Sequence, residues 1–222
     1  IIGSVFVSGL GLKFTQSVID LSGGLLFPLL CLTAVSAIIL GMGMTTTAVY
    51  ITVAALIVPS LIEAGILPIA AHMFAFYFGV VSTITPPVAL ASFAGAAIAK
   101  SPPMATAFES SKVGIAKYIV PFAFIYNPSL LMEGPRIWSL YSLISVLLAY
   151  WCMTLGLEGW FNGKLNVYKR TLALLGSVSL LIPPLQIIYG IQGFYYNAIG
   201  ILLLALIYFV QGKLNFNLKA QS

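Results

Sequence analysis

The stretch LGMGMTTTAVY, residues 40–50, places two glycines and three consecutive threonines between two apolar runs. Glycine inside a helix costs roughly 1 kcal/mol relative to alanine. Hydroxyls held away from water need partners. On either side lie the apolar legs 25–40 and 48–62. Each is about 15–16 residues, which at 1.5 Å per residue reaches about 24 Å, short of the ~30 Å hydrocarbon core of a bilayer. Two short legs joined by a polar turn read as a re-entrant hairpin over residues 25–62. A single straight helix of nearly 40 residues is the competing reading, and it would carry GMGMTTT at its centre.

The wider composition supports a membrane setting. Of 222 residues, 60% are hydrophobic and only 7% charged, and mean hydropathy is +1.07. A soluble domain carries roughly a quarter charged residues. The alternation of a transmembrane barrel is absent, so the fold class expected is an all-α polytopic membrane protein. The net charge of +5 is scattered between apolar runs, which speaks against a nucleic-acid surface. Cys31 and Cys152 each lie inside apolar segments and read as unpaired. The chain opens on IIGSVFVSGLG without an initiating Met, and the expectation is that it is the C-terminal part of a longer polypeptide.

A second interruption follows. Residues 71–99 are apolar at both ends but hold STITPPVALAS, residues 82–92, in the middle. Pro86 and Pro87 remove two successive backbone donors and push the residue before them out of helical geometry. The reading is a discontinuous helix with legs near 71–84 and 88–99. A proline kink in an ordinary span is the alternative, but a kink does not call for Ser82, Thr83 and Thr85 beside it.

The remaining segments organise around these two. Residues 1–12 read as the end of a span, 13–24 and 104–113 as interfacial segments, and 114–132 as a full span. Spans near 137–156, 171–189 and 194–210 follow. The last three hold few polar residues and read as scaffold or an appended extension over 135–222 with about three transmembrane helices. If the hairpin opens and closes on one side, that side keeps only Lys13 and Arg136. The other receives the remaining eight basic residues, from Lys100 to Lys219. The positive-inside bias makes the latter side cytoplasmic, with a cytoplasmic C-terminus.

Hairpin tips and broken helices are the parts of transporter sites. Unwound backbone offers carbonyl oxygens to a small hard cation, and half-helix N-termini offer N–H groups to an anion. Gly41 and Gly43 permit the turn. Thr45, Thr46 and Thr47 are expected to cap the returning helix and are candidates to ligate an ion as well; the alternative is that their hydroxyls only cap helix ends or satisfy backbone groups around the break. His72, the sole histidine, reads as a hydrogen-bonded structural residue, and Glu63, Glu133 and Glu158 fall in loops. With no buried acid, sodium held by carbonyls and hydroxyls fits better than a proton relay. Enzyme classes are excluded by what is missing: HExxH and a second histidine, GxSxG, a pair of buried aspartates and a P-loop. A channel or a non-transporting membrane subunit remains as the alternative from another class.

Residues 40–99, with GMG…TTAVY and ITPPVALA, resemble the C-terminal half of the large membrane subunit of TRAP transporters (tripartite ATP-independent periplasmic transporters). They look most like the fused-permease subgroup. GLGLKF…LSGG and FESSKVGIAKYIVPFAFIYNPSLL extend the resemblance over roughly 1–134. It implies the second repeat of an elevator-type inverted-repeat importer in the inner membrane, coupled to sodium and moving organic acids. The partners implied are an extracytoplasmic substrate-binding protein, a small membrane subunit or its fused equivalent, and the first repeat. A hairpin-type anion transporter that works without a binding protein is the runner-up. Carried onto this chain, the ion and substrate residues are Gly41, Gly43, Thr45, Thr46 and Thr47 at the tip. At the break they are Ser82, Thr85, Pro86, Pro87 and Val88. Sodium falls to Gly41, Thr46 and Thr85, mainly through carbonyls and hydroxyls, and no other cofactor is implied. Thr45 stands where relatives carry Pro or Asp, and Phe78 where many carry Asn, so ligation there passes to the backbone.

Overall fold

The computed structural model describes residues 9–161, 163–184, 187–188 and 191–219. It divides into two compact units, the first ending at Leu131 and the second starting at Met132.

The first unit holds eight described helices: α1 (Leu10–Ser22), α2 (Leu26–Gly41), α3 (Thr46–Leu56), α4 (Val58–Glu63), α5 (Pro68–Val81), α6 (Leu90–Ala99), α7 (Pro103–Val113) and α8 (Ala116–Tyr126). A 3-10 turn, Pro128–Leu131, closes it. Pro68 and Pro103 open their helices, where a missing N–H is no loss. At the centre runs α5, with Ala71, Phe74 and Ala75 fully buried. The Phe74 ring meets Phe78 and Phe122 at centroid distances of 4.8 and 5.4 Å. Leu30, Ala34 and Ala37 of α2 and Val49 and Val53 of α3 complete the same core.

The chain turns back after α2. Residues 42–45 leave helical geometry, with Gly43 at φ 80°, and α3 begins at Thr46. A cavity of about 160 Å³ is lined by Leu25, Leu26 and Leu29 from the start of α2 and by Glu63 and Ala64 from the end of α4. The two ends of the 25–62 segment are therefore neighbours, and one straight helix is excluded. The returning leg is itself interrupted at Ile57. Pro59 has no N–H for the carbonyl of Ala55 and its ring crowds that carbonyl, so a short α4 follows α3.

Several segments differ from expectation. The broken helix has legs at Pro68–Val81 and Leu90–Ala99, so its non-helical stretch is wider than 85–87. Thr85, preceding a proline, is kept from the α region, and Pro86 and Pro87 supply no donors to Ser82 and Thr83. Residues 114–132 are not one continuous span: α8 has 11 residues, about 16 Å, bounded by Gly114 and by Asn127–Pro128. Helix α1 starts at Leu10, earlier than 13, and the span end expected over 1–12 lies, for 1–8, outside the described residues.

The second unit contains α9 (Arg136–Glu158), α10 (Val167–Leu181), a two-residue strand pair and α11 (Gly193–Lys219). Strands β1 (Ile187–Ile188) and β2 (Ile191–Gln192) pair antiparallel, Ile187 opposite Gln192. At 23 residues α9 reaches about 34 Å. It is the one helix among the described residues both long and apolar enough to cross a bilayer. Ile137, Leu140, Ile144, Leu147 and Trp151 are exposed at helical spacing along it. Ser142, Ser145, Ala149, Cys152 and Gly156 are buried on the other side. Small residues here let α10 approach closely: a Cβ on Gly156 would stand 2.7 Å from Leu174. Arg170 donates from Nε to Gly156 O (2.9 Å) and from Nη2 to Leu157 O (2.6 Å), capping the end of α9. Both cysteines are free.

Helix α10 stops at Leu181 rather than running to 189. Pro183 and Pro184 leave the carbonyls of Ser179 and Leu180 without their helical donors. Ser145 donates to Leu180 O at 2.7 Å. Asn197, fully buried, sets its side-chain amide 2.8 Å from Ser179 O and 3.1 Å from Ile182 O; both neighbours are acceptors, which assigns the amide nitrogen as the donor on that side. Residues 185–186 and 189–190, inside the expected span end and the GIQG turn, lie outside the described residues.

Exposed aliphatic and aromatic side chains recur in both units, among them Phe27, Val35 and Ile39 on α2 and Ile137 on α9. Water-facing surfaces do not sustain apolar area of this extent, and the protein is a membrane protein.

Two stability outcomes follow. Gly41→Ala places a methyl group 2.6 Å from Gly79 O and is expected to destabilise the protein by about 1–3 kcal/mol. Asn197→Leu strands the Ser179 carbonyl at a cost of about 1–3 kcal/mol. Thermal unfolding of the purified protein in detergent checks both, and an unchanged midpoint contradicts the packing described.

Candidate functional site

The hairpin tip and the helix break come together at the end of α5. Gly41 is buried, and a Cβ there would fall 2.6 Å from both Gly79 O and Ser82 Oγ. Gly79 in turn admits Val49 of α3, whose Cγ1 would lie 2.5 Å from a Cβ at that position. Two glycines on facing helices thus let the tip seat against the start of the break. Substituting either fills space that backbone and side chains already occupy.

Each carbonyl from residue 82 to residue 85 has a hydrogen-bond donor. Ser82 O accepts from Thr85 N (3.3 Å), Thr83 O from Ala91 N (3.0 Å) and Thr85 O from Ala89 N (3.1 Å). Ile84 O accepts from the Ser111 hydroxyl of α7 at 2.9 Å. The carbonyls that Pro86 and Pro87 deprive of helical donors are therefore satisfied within the protein, as buried backbone groups require. Ala89, fully buried, sits at φ 34°, a costly conformation for a residue with a Cβ. It stands at the N-cap of α6, which begins two residues after the expected Val88.

The hydroxyls divide into two sets. Ser82, 1% exposed, donates to Gly79 O at 2.6 Å. Thr83 donates to Val80 O and Thr85 to Val81 O, both at 2.8 Å, and Thr85 Oγ1 is 2.6 Å from the Tyr118 hydroxyl of α8. At the tip, Gly43, Thr45, Thr46 and Thr47 are exposed. Thr45 occupies the N-cap of α3 but its side chain makes no cap bond. Among the described residues the hydroxyls of Thr45, Thr46 and Thr47 have no hydrogen-bond partner. The expectation that these threonines cap the returning helix through their side chains is thus corrected: the cap position is used, the hydroxyl is not. Pro87 is exposed, while Pro86 and Val88 are half-buried.

The structure joins Gly41 to Ser82 and does not bond any tip hydroxyl to the break. Phe78, at the position of departure noted above, is 3% exposed within the aromatic core. His72 lies 3.0 Å through Nδ1 from the Tyr50 hydroxyl of α3, a structural bond between the returning leg and α5. Sequence reading missed Ser111 and Tyr118, which hold the break from α7 and α8, and the Ser92–Ser110 hydroxyl pair. FESSKVGIAKY contains all but one of these residues, but nothing in that string couples it to residue 84 or 85.

No group of three or more His, Cys, Asp or Glu side chains converges among the described residues. Oxygen from hydroxyls and backbone is what the tip and break offer, a donor chemistry suited to hard cations. Interrupted apolar helices, one helix of membrane-spanning length and apolar outer faces describe a membrane protein. Residues 1–134 match the family model of the DctM component of the tripartite ATP-independent periplasmic transporters, and the chain belongs to that family. The family is one of transporters and is non-catalytic. No curated protein and no solved structure matches the chain.

The two hydroxyl sets make opposite predictions. Thr85→Val removes a hydroxyl that both donates and accepts, and is expected to cost about 1–3 kcal/mol. Thr45→Ala removes no bond and should stay within about 0.5 kcal/mol. Unfolding midpoints measured side by side decide, and a loss near 1 kcal/mol at Thr45, typical of a working cap, would contradict the geometry.

Proposed function

We propose that this chain supplies the second repeat of a sodium-coupled, binding-protein-dependent importer of organic acids in the inner membrane. Residues 25–62 form its re-entrant hairpin and 68–99 its broken helix. The observation that carries the reading is the seating of Gly41 against Ser82. It brings an exposed tip rich in free hydroxyls to the side of a helix break whose carbonyls are already ordered. Sodium at Gly41, Thr46 and Thr85 would be held by carbonyl and hydroxyl oxygens without the cost of burying a carboxylate. The uncapped N-terminus of α3 and that of α6 point partial positive charge at the substrate carboxylate. The first repeat closes the other half of the cavity, and a soluble binding protein delivers the substrate.

The test is uptake into proteoliposomes by the full-length permease with its binding protein, titrating sodium for wild type and Thr46→Ala. Loss of one ligand hydroxyl is worth about 1–3 kcal/mol, so half-saturating sodium is expected to rise roughly ten- to a hundredfold. Sodium-independent uptake by the wild type overturns the coupling. An overlay of the two curves removes Thr46 from the ion site.

A further inference from the structure

The bonds around Thr85 have a direction. A hydroxyl carries one hydrogen and two lone pairs. Thr85 spends its hydrogen on Val81 O (2.8 Å) and Ser111 spends its own on Ile84 O (2.9 Å). Both therefore present only lone pairs to the Tyr118 hydroxyl, which lies 2.6 Å from Thr85 Oγ1 and 3.4 Å from Ser111 Oγ. The single phenolic hydrogen goes to the nearer one, Thr85. Close approach is possible because residue 114 is glycine: a Cβ there would meet Ile84 Cδ1 at 2.6 Å.

We propose that Tyr118 is a positioning residue for the ion site and that with Ser111 it forms a strap across the helix break. This rests on the sodium-coupled reading above and deepens it. The strap turns the Thr85 hydrogen toward α5, so that a lone pair is left for a cation. It also ties Ile84 to the last turn of α7. Prolines 86 and 87 leave residues 82–89 without a helical ladder and with two turn bonds of their own, Thr85 N to Ser82 O and Ala89 N to Thr85 O, so bonds from outside the segment add to what holds its shape. Without the strap the binding-competent shape is a smaller fraction of the population, and apparent affinity falls by that fraction. Saturating sodium restores it. The signature is a raised half-saturation at an unchanged maximal rate.

The test uses the full-length permease with its binding protein, comparing wild type, Tyr118→Phe and Ser111→Ala. Tyr50→Phe serves as a control that removes a phenol bonded elsewhere. Tyr118→Phe keeps the ring and is expected to raise half-saturating sodium about tenfold, the scale of one well-placed hydrogen bond, with maximal uptake unchanged. Ser111→Ala shifts it in the same direction, and Tyr50→Phe leaves it in place. Hydrogen exchange provides the second arm: the Ala89 and Ala91 amides should exchange faster in Tyr118→Phe while α9 and α10 do not change. A Tyr118→Phe sodium curve that overlays a sodium-dependent wild type overturns the strap, and so does a fall in maximal uptake alone. If wild-type uptake ignores sodium, the coupling falls, and the strap stands or falls on the exchange of Ala89 and Ala91.

Discussion

Each unit depends on answering one constraint: a carbonyl that loses its helical donor where water is scarce must find another. Two Pro-Pro steps create the problem. Pro86–Pro87 ends α5 early, and Pro183–Pro184 ends α10 early. In the first unit the answers are the amides of Thr85 and Ala91, with the Ser111 hydroxyl taking the neighbouring Ile84 carbonyl. In the second they are Ser145 and Asn197, each reaching from another helix. An unpaired carbonyl in an apolar medium costs several kcal/mol, so these side chains are held in place by what they satisfy. The same bonds that repair a broken helix also join it to its neighbours.

Close packing gives that repair its geometry. Gly41 and Gly79 face one another across the junction of tip and break, and each is a glycine because its neighbour occupies the space a methyl group would take. Around them the aromatic cluster of Phe74, Phe78 and Phe122 fixes α5 against α8. The result is a rigid seat beneath a tip whose threonines are left exposed.

Much of the fold was legible because the signals were local. GMGMTTT reads as a turn since glycine and hydroxyls conflict with a helix in lipid. TPPV reads as a break since proline lacks a donor. The length of α9 follows from an uninterrupted apolar run. Boundaries were less legible. Helix α8 is shorter than the apolar run 114–132, because Gly114 and Asn127–Pro128 act on backbone geometry that a count of apolar residues ignores. Pro59 and Pro183–Pro184 carried the same warning inside segments whose hydropathy argued for continuity.

By itself, then, the sequence determined the class of the chain and the place of its two polar interruptions, at GMGMTTT and at STITPP. These follow from composition, from the missing N–H of proline and from the backbone freedom of glycine. Tertiary structure alone decided which partners the interruptions take. Thr85 and Tyr118 are 33 residues apart and Ser145 and Leu180 are 35 apart, separations that carry no periodic signal. It also decided that Thr45 sits at a cap without capping, since a hydroxyl bonds only where the folded chain brings a donor or acceptor within reach. Local chemistry sets which groups are left wanting, and only the packing of distant helices determines what meets them.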